Sequence, residues 1–271
     1  MAERLMEERR MESDAIRKAW EEMAAALKDD ATSTLRDQFQ NQLEHEALFR
    51  TLKDSRGASL LDVGCGNGYF ALAMAKTCSR VHGIDFSENM IAKANALNER
   101  RKEKNVVFTV ADVRTFSLKE RFDIATTKRC IINLPSHEEQ IQAIKHIHTH
   151  LLPQGRLLLL EGFQDGYDEL NIARAAFGLP PITQATYNLM IDTERFLRDI
   201  EGLFTVEHVE YFGTYCLFSR FVHPLLVAPK EPLYDAEENR KAFALQQQLG
   251  GIQRFSPVRL YTLRKLSGRK P

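Results

Sequence analysis

The sequence lacks several features that would assign it at once to a class of protein. Lysine plus arginine and aspartate plus glutamate both number 37 in the 271 residues, so no net charge attracts the chain to nucleic acid. No apolar run approaches a membrane span, and the charged N-terminus has no apolar stretch typical of a signal peptide. The 4 cysteines show no C-x-x-C spacing and fall in apolar segments, as reduced thiols do. We therefore expect a cytoplasmic protein that binds neither nucleic acid nor membrane.

The most informative stretch is Leu60–Phe70, LLDVGCGNGYF. An apolar run ends in a glycine at every second position and passes directly into a helical pattern, so the chain leaves a buried strand through a tight loop. Gly64, Gly66 and Gly68 let the backbone approach a ligand that a Cβ atom would exclude. The spacing is G-x-G-x-G with an acid two positions ahead, whereas the dinucleotide fingerprint is G-x-G-x-x-G.

Asp62 indicates which ligand this loop takes. A phosphate is bound by backbone N–H groups at a helix N-terminus, and a carboxylate at the mouth of the loop would repel it. S-adenosyl-L-methionine (SAM), with a sulfonium and an ammonium but no phosphate, suits Asp62 better than NAD does. The run LDVGCGNG resembles motif I of the class I SAM-dependent methyltransferases, a Rossmann-like family. The resemblance implies that fold and SAM as cofactor; a glycine-rich turn without a ligand is the alternative.

From Ser59 onward strands and helices alternate, which predicts a mostly parallel sheet with helices on both faces. Seven strands are expected, at residues 60–63, 81–86, 106–110, 122–126, 156–161, 205–211 and 258–265. The predicted helices of the alternation cover residues 69–78, 87–101, 136–152 and 192–200. The fold class is therefore α/β, and the resemblance makes it the class I methyltransferase fold.

Two kinds of segment lie outside this alternation. Residues 1–55 have apolar residues at helical spacing and predict helices that cover the mouth of the cleft, with Trp20 more typical of a helix anchor than of a pocket wall. The segments 163–190 and 212–255 are too long for simple connections, so we expect them to carry helices and to form the acceptor side. Residues 56–271 then form one methyltransferase domain with two insertions.

The carboxyl ends of parallel strands meet at one edge of the sheet, where a ligand binds. The resemblance implies that Asp85 accepts from the ribose hydroxyls and that Asp112 accepts from the adenine amino group, although either residue is also a common cap or turn residue. The full cofactor-binding set expected on this basis is Asp62, Gly64, Cys65, Gly66, Gly68, Asp85, Phe86, Met90, Asp112, Val113 and Arg129.

The catalytic residues are less well defined by the sequence. Methyl transfer from a sulfonium is an in-line displacement that depends mainly on positioning, but a hydroxyl acceptor also needs a general base. The candidate bases are His137, which lies inside a capping box, Glu161 and Asp165. His146 and His150 share a helix face, but that helix is expected to pack on the sheet, so no metal site is predicted.

The acceptor is expected to be a small molecule. Residues 127–134 lack the N-P-P-Y element of enzymes that methylate nucleobase amino groups. The residues after the fifth strand, including Asn171, Arg174, Tyr187 and Asn188, are similar to those of bacterial methyltransferases (type 11/12-like) associated with polysaccharides or small natural products. We predict methyl transfer from SAM to an oxygen, with nitrogen as second choice, of a sugar or metabolite. The alternatives are a catalytically silent module that binds SAM or a partner, and another transferase that uses the SAM site. We expect a monomer or a homodimer.

Overall fold

The computed structural model describes residues 15–18, 21–22 and 36–267. Its strands are β1 (Ser59–Val63), β2 (Arg80–Asp85), β3 (Val106–Val110), β4 (Phe122–Lys128), β5 (Leu151–Gly162), β6 (Phe204–Tyr211) and β7 (Val258–Lys265). They form one seven-stranded sheet in the order β3-β2-β1-β4-β5-β7-β6. Neighbouring strands are parallel from β3 to β5, and β7 is antiparallel to both β5 and β6. The predicted mostly parallel seven-stranded sheet is confirmed.

Helices cover both faces of this sheet. They are α1 (Gln38–Leu52), α2 (Tyr69–Met74), α3 (Glu88–Arg101), α4 (His137–His150), α5 (Gln164–Ala176), α6 (Thr193–Asp199), α7 (Gly213–Leu217), α8 (His223–Val227) and α9 (Glu237–Leu249). A 3-10 turn, Ile131–Asn133, follows β4, and a π-helical turn, Phe218–Val222, joins α7 to α8. None of the described helices is long and apolar enough to cross a bilayer.

Three helices begin where the sequence predicts. The side chains of Ser87, Ser136 and Asp192 each accept a hydrogen bond from a backbone N–H of the first turn that follows, which satisfies donors that have no partner inside the helix. The apolar residues of α1, α2 and α3 pack on one face of the sheet, and those of α4 and α6 pack on the other. As a result, β1 is buried along its whole length.

Two predicted boundaries are wrong. The helix after the glycine-rich loop ends at Met74 because the N–H groups of Thr77 and Cys78 both turn back to its carbonyl. The fifth strand starts at Leu151 rather than at 156, since Leu151 pairs with Phe122 while Arg156 pairs with Ile124. The expected turn around Gln154, whose φ is 62°, is therefore an irregularity inside a longer strand.

The N-terminal region and the second insertion are joined by hydrogen bonds. Residues 15–18 and 21–22 are helical, whereas Trp20 and the rest of residues 1–35 lie outside the described part. Asp37, the N-cap of α1, accepts a hydrogen bond of 2.7 Å from the hydroxyl of Tyr215 and pairs with Arg220. Both expected insertions carry helices, α5 in the first and α7 to α9 in the second. The start of α1 is thus fixed to the second insertion.

Candidate functional site

The loops that follow β1 to β4 meet at the carboxyl edge of the sheet and surround a cavity of about 330 Å³. Helix α1 contributes His45 and Leu48 to its wall, and Ile16 and Arg17 contribute from the N-terminal region. Of the eleven residues expected to bind a cofactor, ten line this cavity: Asp62, Gly64, Cys65, Gly66, Asp85, Phe86, Met90, Asp112, Val113 and Arg129. The cavity has the size and the convergent polar groups of a small-molecule site.

Gly68 is the one expected cofactor residue that does not line the cavity. A Cβ atom built on Gly68 would lie 2.6 Å from the ring of Phe108 and 2.8 Å from Cβ of Ala94. Its lack of a side chain therefore serves the packing of the glycine-rich loop against α3 and β3. Gly66, by contrast, has no atom within 4 Å of such a Cβ, and its N–H donates to Asp85 over 2.9 Å. Gly66 is the glycine whose backbone faces the cavity.

Asp62, which is buried, and Asp85, which is half-buried, are the two acidic residues beside the glycine-rich loop. Burial raises the pKa of Asp62 to about 7, although the hydroxyl of Thr126 donates to it over 2.8 Å. Burial also raises the pKa of Asp85 to about 6, against the N–H groups of Ser87 and Gly66 that donate to it. Each carboxylate would be stabilised by a positive charge nearby. The two carboxylates therefore fit a ligand that carries a positive charge beside them, as SAM does.

Asp112 is engaged by a neighbouring side chain. The guanidinium of Arg114 donates to both carboxylate oxygens of Asp112, at 2.6 to 3.1 Å, and also contacts Glu139. Burial raises the pKa of Asp112, but these hydrogen bonds outweigh that effect and hold the pKa below its ordinary value. A ligand amino group at Asp112 would therefore share its oxygens with Arg114.

The end of β4 carries two cations that share one counterion. Glu44 of α1 is completely buried and pairs with Arg129, and its Oε2 lies 3.6 Å from Nζ of Lys128. Burial raises the pKa of Glu44, but the two cations outweigh it and lower the pKa to about 2. Nζ of Lys128 also contacts Oδ1 of Asn41 at 2.5 Å and Nε2 of His45 at 3.3 Å. Helix α1 is thus held at the cavity by a charged network.

None of the three candidate bases lines the cavity. Nε2 of His137 lies 2.8 Å from the carboxylate of Asp199, and Asp165 pairs with Arg259. Glu161 is completely buried, and it accepts from the N–H groups of the 3-10 turn after β4, those of Cys130, Ile131 and Ile132, at 3.1 to 3.3 Å. Burial raises the pKa of Glu161 to about 7 in spite of those donors. His137 and Asp165 therefore have partners outside the cavity, whereas Glu161 lies behind its wall and bonds the backbone of Cys130 and Ile132, which line it.

The acceptor-side candidates divide into two groups. Tyr187 and Asn188 line the cavity. Asn171 accepts from the N–H of Ile182, within the first insertion, and Arg174 donates to the carbonyl of Pro180 and to that of Arg220 in the second insertion. The sequence analysis does not predict His45 and Lys128 as site residues, although both line the cavity. The position of Lys128 directly at the carboxyl end of β4 could have indicated it. No local pattern indicates His45, because it reaches the cavity from a separate helix.

Among the described residues no group of His, Cys, Asp and Glu is placed to hold a metal ion. His146 and His150 instead contact the ring of Phe116, at centroid distances of 4.6 and 4.3 Å. These two histidines pack in the layer between α4 and the sheet.

Comparisons with known proteins agree with this fold. Residues 60–155 match a family model described as a methyltransferase domain. The chain is 28% identical over 144 residues to demethylmenaquinone methyltransferase from Lactococcus lactis, which covers 52% of this chain and 55% of that protein. It is 33% identical over 118 residues to dTDP-3-amino-3,6-dideoxy-alpha-D-glucopyranose N,N-dimethyltransferase from Streptomyces fradiae, covering 41% and 44%. The chain thus spans about half the length of the curated relatives that it matches.

A solved structure extends the likeness of fold to most of the chain. N-methyltransferase NodS from Bradyrhizobium japonicum WM9, in complex with S-adenosyl-L-homocysteine, superposes with a TM-score of 0.58 at 15% identity, over 93% of this chain and 99% of NodS. At that identity the superposition shows the fold, while the family model matches the segment that contains the glycine-rich loop. Residues 60–155 of the chain thus match the methyltransferase domain, and the chain has the Rossmann-like fold of the SAM-dependent methyltransferases.

Proposed function

We propose that this protein transfers a methyl group from SAM to an oxygen or a nitrogen of a small-molecule acceptor in the cytoplasm. The observation that carries the proposal is the pair of carboxylates, buried Asp62 and half-buried Asp85, beside a glycine-rich loop in a cavity of about 330 Å³. A cationic ligand without phosphate fits both the carboxylates and the loop. Its charge stabilises the carboxylates, and it can lie against the Gly66 backbone.

The residues around the cavity suggest how SAM is held. Asp85 and Asp112 follow adjacent strands and would accept from the ribose and the adenine, with Phe86 and Met90 packing against the adenosine. Asp62 would face the ammonium group, and Arg129 would face the carboxylate of the methionine part. When bound, SAM supplies an electrophilic methyl group on a sulfonium. The protein residues orient it and exclude water from the cavity.

The acceptor side is proposed to be formed by the N-terminal cover, residues 1–55, together with the insertions at 163–190 and 212–255. Helix α1 and residues Tyr187 and Asn188 line the cavity together with the glycine-rich loop, which favours a small acceptor over a macromolecular surface. The two curated relatives are named for different acceptors, demethylmenaquinone and a dTDP-linked amino sugar. Similarity alone therefore leaves the acceptor atom open.

Calorimetric titration tests the cofactor. We expect wild-type protein to bind SAM and not NAD, and we expect Asp85→Ala to weaken SAM binding at least about tenfold, because it removes hydrogen bonds to a charged acceptor. Asp235→Ala makes the same chemical change at an exposed position outside the cavity and serves as the control. Folded wild-type protein that does not bind SAM would refute the proposal. SAM binding without methyl transfer to any acceptor would favour a silent binding module.

A further inference from the structure

The loop after β3 winds around Asp112, which lines the cavity. The backbone N–H of Arg114 donates to Oδ1 of Asp112 over 2.8 Å, and the N–H groups of Thr115 and Phe116 donate to the backbone carbonyl of Asp112 over 3.0 and 2.8 Å. The bond from an aspartate side chain to the N–H two residues later is that of an Asx-turn. Both the backbone and the side chain of Asp112 are therefore held by the residues that follow it.

The side chain of Arg114 adds further bonds to the same carboxylate. Its Nε lies 3.0 Å from Oδ1 and 3.1 Å from Oδ2 of Asp112, and its Nη2 donates to Oδ2 over 2.6 Å. The side chains are 33% exposed at Asp112 and 35% exposed at Arg114, and both residues line the cavity, so a ligand can reach them. A planar guanidinium that faces a carboxylate in this way fixes the plane of the carboxylate as well as its charge.

Glu139 holds the guanidinium from the other side. This residue lies in the first turn of α4, where its own N–H donates to the hydroxyl of Ser136 over 3.2 Å, and its Oε2 accepts from Nη1 of Arg114 over 3.2 Å. Arg114 therefore bridges the loop after β3 and the start of α4, with a carboxylate at each end of the guanidinium. Because the second anchor lies on a different element, the orientation of the guanidinium does not depend on the loop alone.

The bonds to Asp112 leave room for one more donor. An ionised carboxylate has about four acceptor positions. Three N–H groups of Arg114 use them: the backbone N–H and Nε bond Oδ1, and Nη2 bonds Oδ2, while the longer contact from Nε to Oδ2 is shared with Oδ1. These bonds leave one position on Oδ2 of Asp112 for a ligand.

We infer that Arg114 is a positioning residue, which orients Asp112 so that the remaining position on Oδ2 accepts from the amino group of the cofactor's adenine. The inference rests on the proposed function and assigns the residue that decides which base the cavity accepts. A base with an amino group at this place donates to Oδ2, whereas a base with a carbonyl oxygen there brings two acceptors against each other. Arg114 has this effect through Asp112, without touching the cofactor.

The charge of Arg114 also keeps Asp112 in the form that can only accept. Burial raises the pKa of Asp112, but the hydrogen bonds and the charge of Arg114 outweigh burial and hold the pKa below its ordinary value. The charge of Arg17 acts in the same direction, but less strongly than Arg114 does. Without the guanidinium, Asp112 can turn and take up a proton, and a protonated carboxyl can donate to a carbonyl oxygen. Loss of Arg114 should therefore remove the discrimination between the two kinds of base.

The test compares two cofactor analogues by calorimetry at pH 7. S-adenosylhomocysteine carries adenine, whereas S-inosylhomocysteine is the same molecule with a carbonyl oxygen in place of the amino group of the base. We expect wild-type protein to bind the adenine analogue at least about tenfold more tightly. Arg114→Met, which removes the charge and the donors, should lower this preference to about threefold or less. Arg198→Met makes the same change at an exposed position outside the cavity and should keep the wild-type preference.

The ratio of the two dissociation constants isolates the recognition of the base, because general damage to the loop weakens both analogues together. Arg114→Gln is a second variant without the guanidinium, for use if Arg114→Met does not fold. Equal affinity of wild type for the two analogues, or a wild-type ratio in a folded variant that lacks the guanidinium, would overturn the assignment of Arg114. Failure of wild type to bind either analogue would overturn the proposed function itself, a result distinct from an unaltered ratio.

Discussion

The Nζ atom of Lys128 lies 3.3 Å from Nε2 of His45, so the last residue of β4 is in contact with a helix from the N-terminal region. The same ammonium contacts Asn41 and Glu44, which places three side chains of one helix around a single cation. Because Glu44 is also the counterion of Arg129, the carboxylate holds two cavity residues in position.

Glu44→Gln should strongly destabilise the protein. The change leaves Lys128 and Arg129 without their buried counterion, and breaking a buried ion pair typically costs about 3 to 5 kcal/mol. Urea denaturation followed by circular dichroism measures the free energy of unfolding. Glu46→Gln, on the same helix, is the matched control: Glu46 accepts hydrogen bonds from Gln42 and Gln247, and the variant should lose less than about 1 kcal/mol. Equal losses in the two variants would contradict this account of Glu44.

SAM affinity should increase as the pH rises from about 6 to about 8. Asp62 and Asp85 have pKa values of about 7 and about 6, above the ordinary 3.8, so the protein without ligand holds protons there that a cation must displace. Stability has the opposite pH dependence, since a raised folded-state pKa makes folding less favourable as pH rises from about 4 to about 7. Calorimetry in two buffers of different ionisation enthalpy measures the proton release.

Asp62→Asn separates the contribution of Asp62 to this pH dependence from that of Asp85. It should reduce the number of protons released on SAM binding and make the protein more stable than wild type at pH 8, where the wild-type carboxylate is ionised. An affinity that stays constant over the same pH range in wild type would argue against a cationic ligand beside Asp62.

Gly66→Ala should mainly weaken SAM binding, whereas Gly68→Ala should mainly destabilise the fold. Both glycines have positive φ, 52° and 74°, which costs an alanine about 1 to 2 kcal/mol. At Gly68 the new methyl group also overlaps Phe108 and Ala94, so a larger loss of about 3 kcal/mol or more in unfolding free energy is expected, with little change in SAM affinity once folded. At Gly66 the methyl group enters the cavity and should weaken SAM binding at least about tenfold.

Denaturation and SAM titration of the two glycine variants, side by side, provide the comparison, each variant serving as the control for the other. A Gly66→Ala protein that binds SAM as wild type does would show that this part of the loop does not face the cofactor.

Methyl label should be transferred to a small molecule. With trideuteromethyl SAM and a collection of small amines, amino sugars and their hydroxyl analogues, mass spectrometry should find the label on a member of the collection, because the cavity of about 330 Å³ has the size of a small-molecule site. Acylation of the amine of the labelled compound should abolish the transfer if nitrogen is the acceptor, and transfer that continues identifies oxygen. SAM binding without label on any member would argue for a silent binding module.

Much of the cofactor side follows from local sequence pattern. The strand that leads to Asp62, the glycines after it and the caps at Ser87 and Ser136 are set by residues a few positions apart, and the structure has them where the pattern predicts. The bond between Glu44 and Arg129 spans 85 positions, so no local pattern indicates it. Glu161 is one of three candidate bases in the sequence, and no local pattern indicates that its carboxylate accepts from the N–H groups of Cys130 and Ile131, 31 and 30 positions away.

The bonds from Asp37 to Tyr215 and Arg220 have a consequence for engineering. Exchanging one insertion between homologous enzymes is a common way to redirect selectivity, and it presumes that the exchanged piece is a separable module. Here the piece that carries Tyr215 is fastened to the start of the helix that presents His45 to the cavity. A chimera that replaces only residues 212–255 would leave Asp37 buried without its partners, so a functional graft must transfer the segment around Asp37 with it.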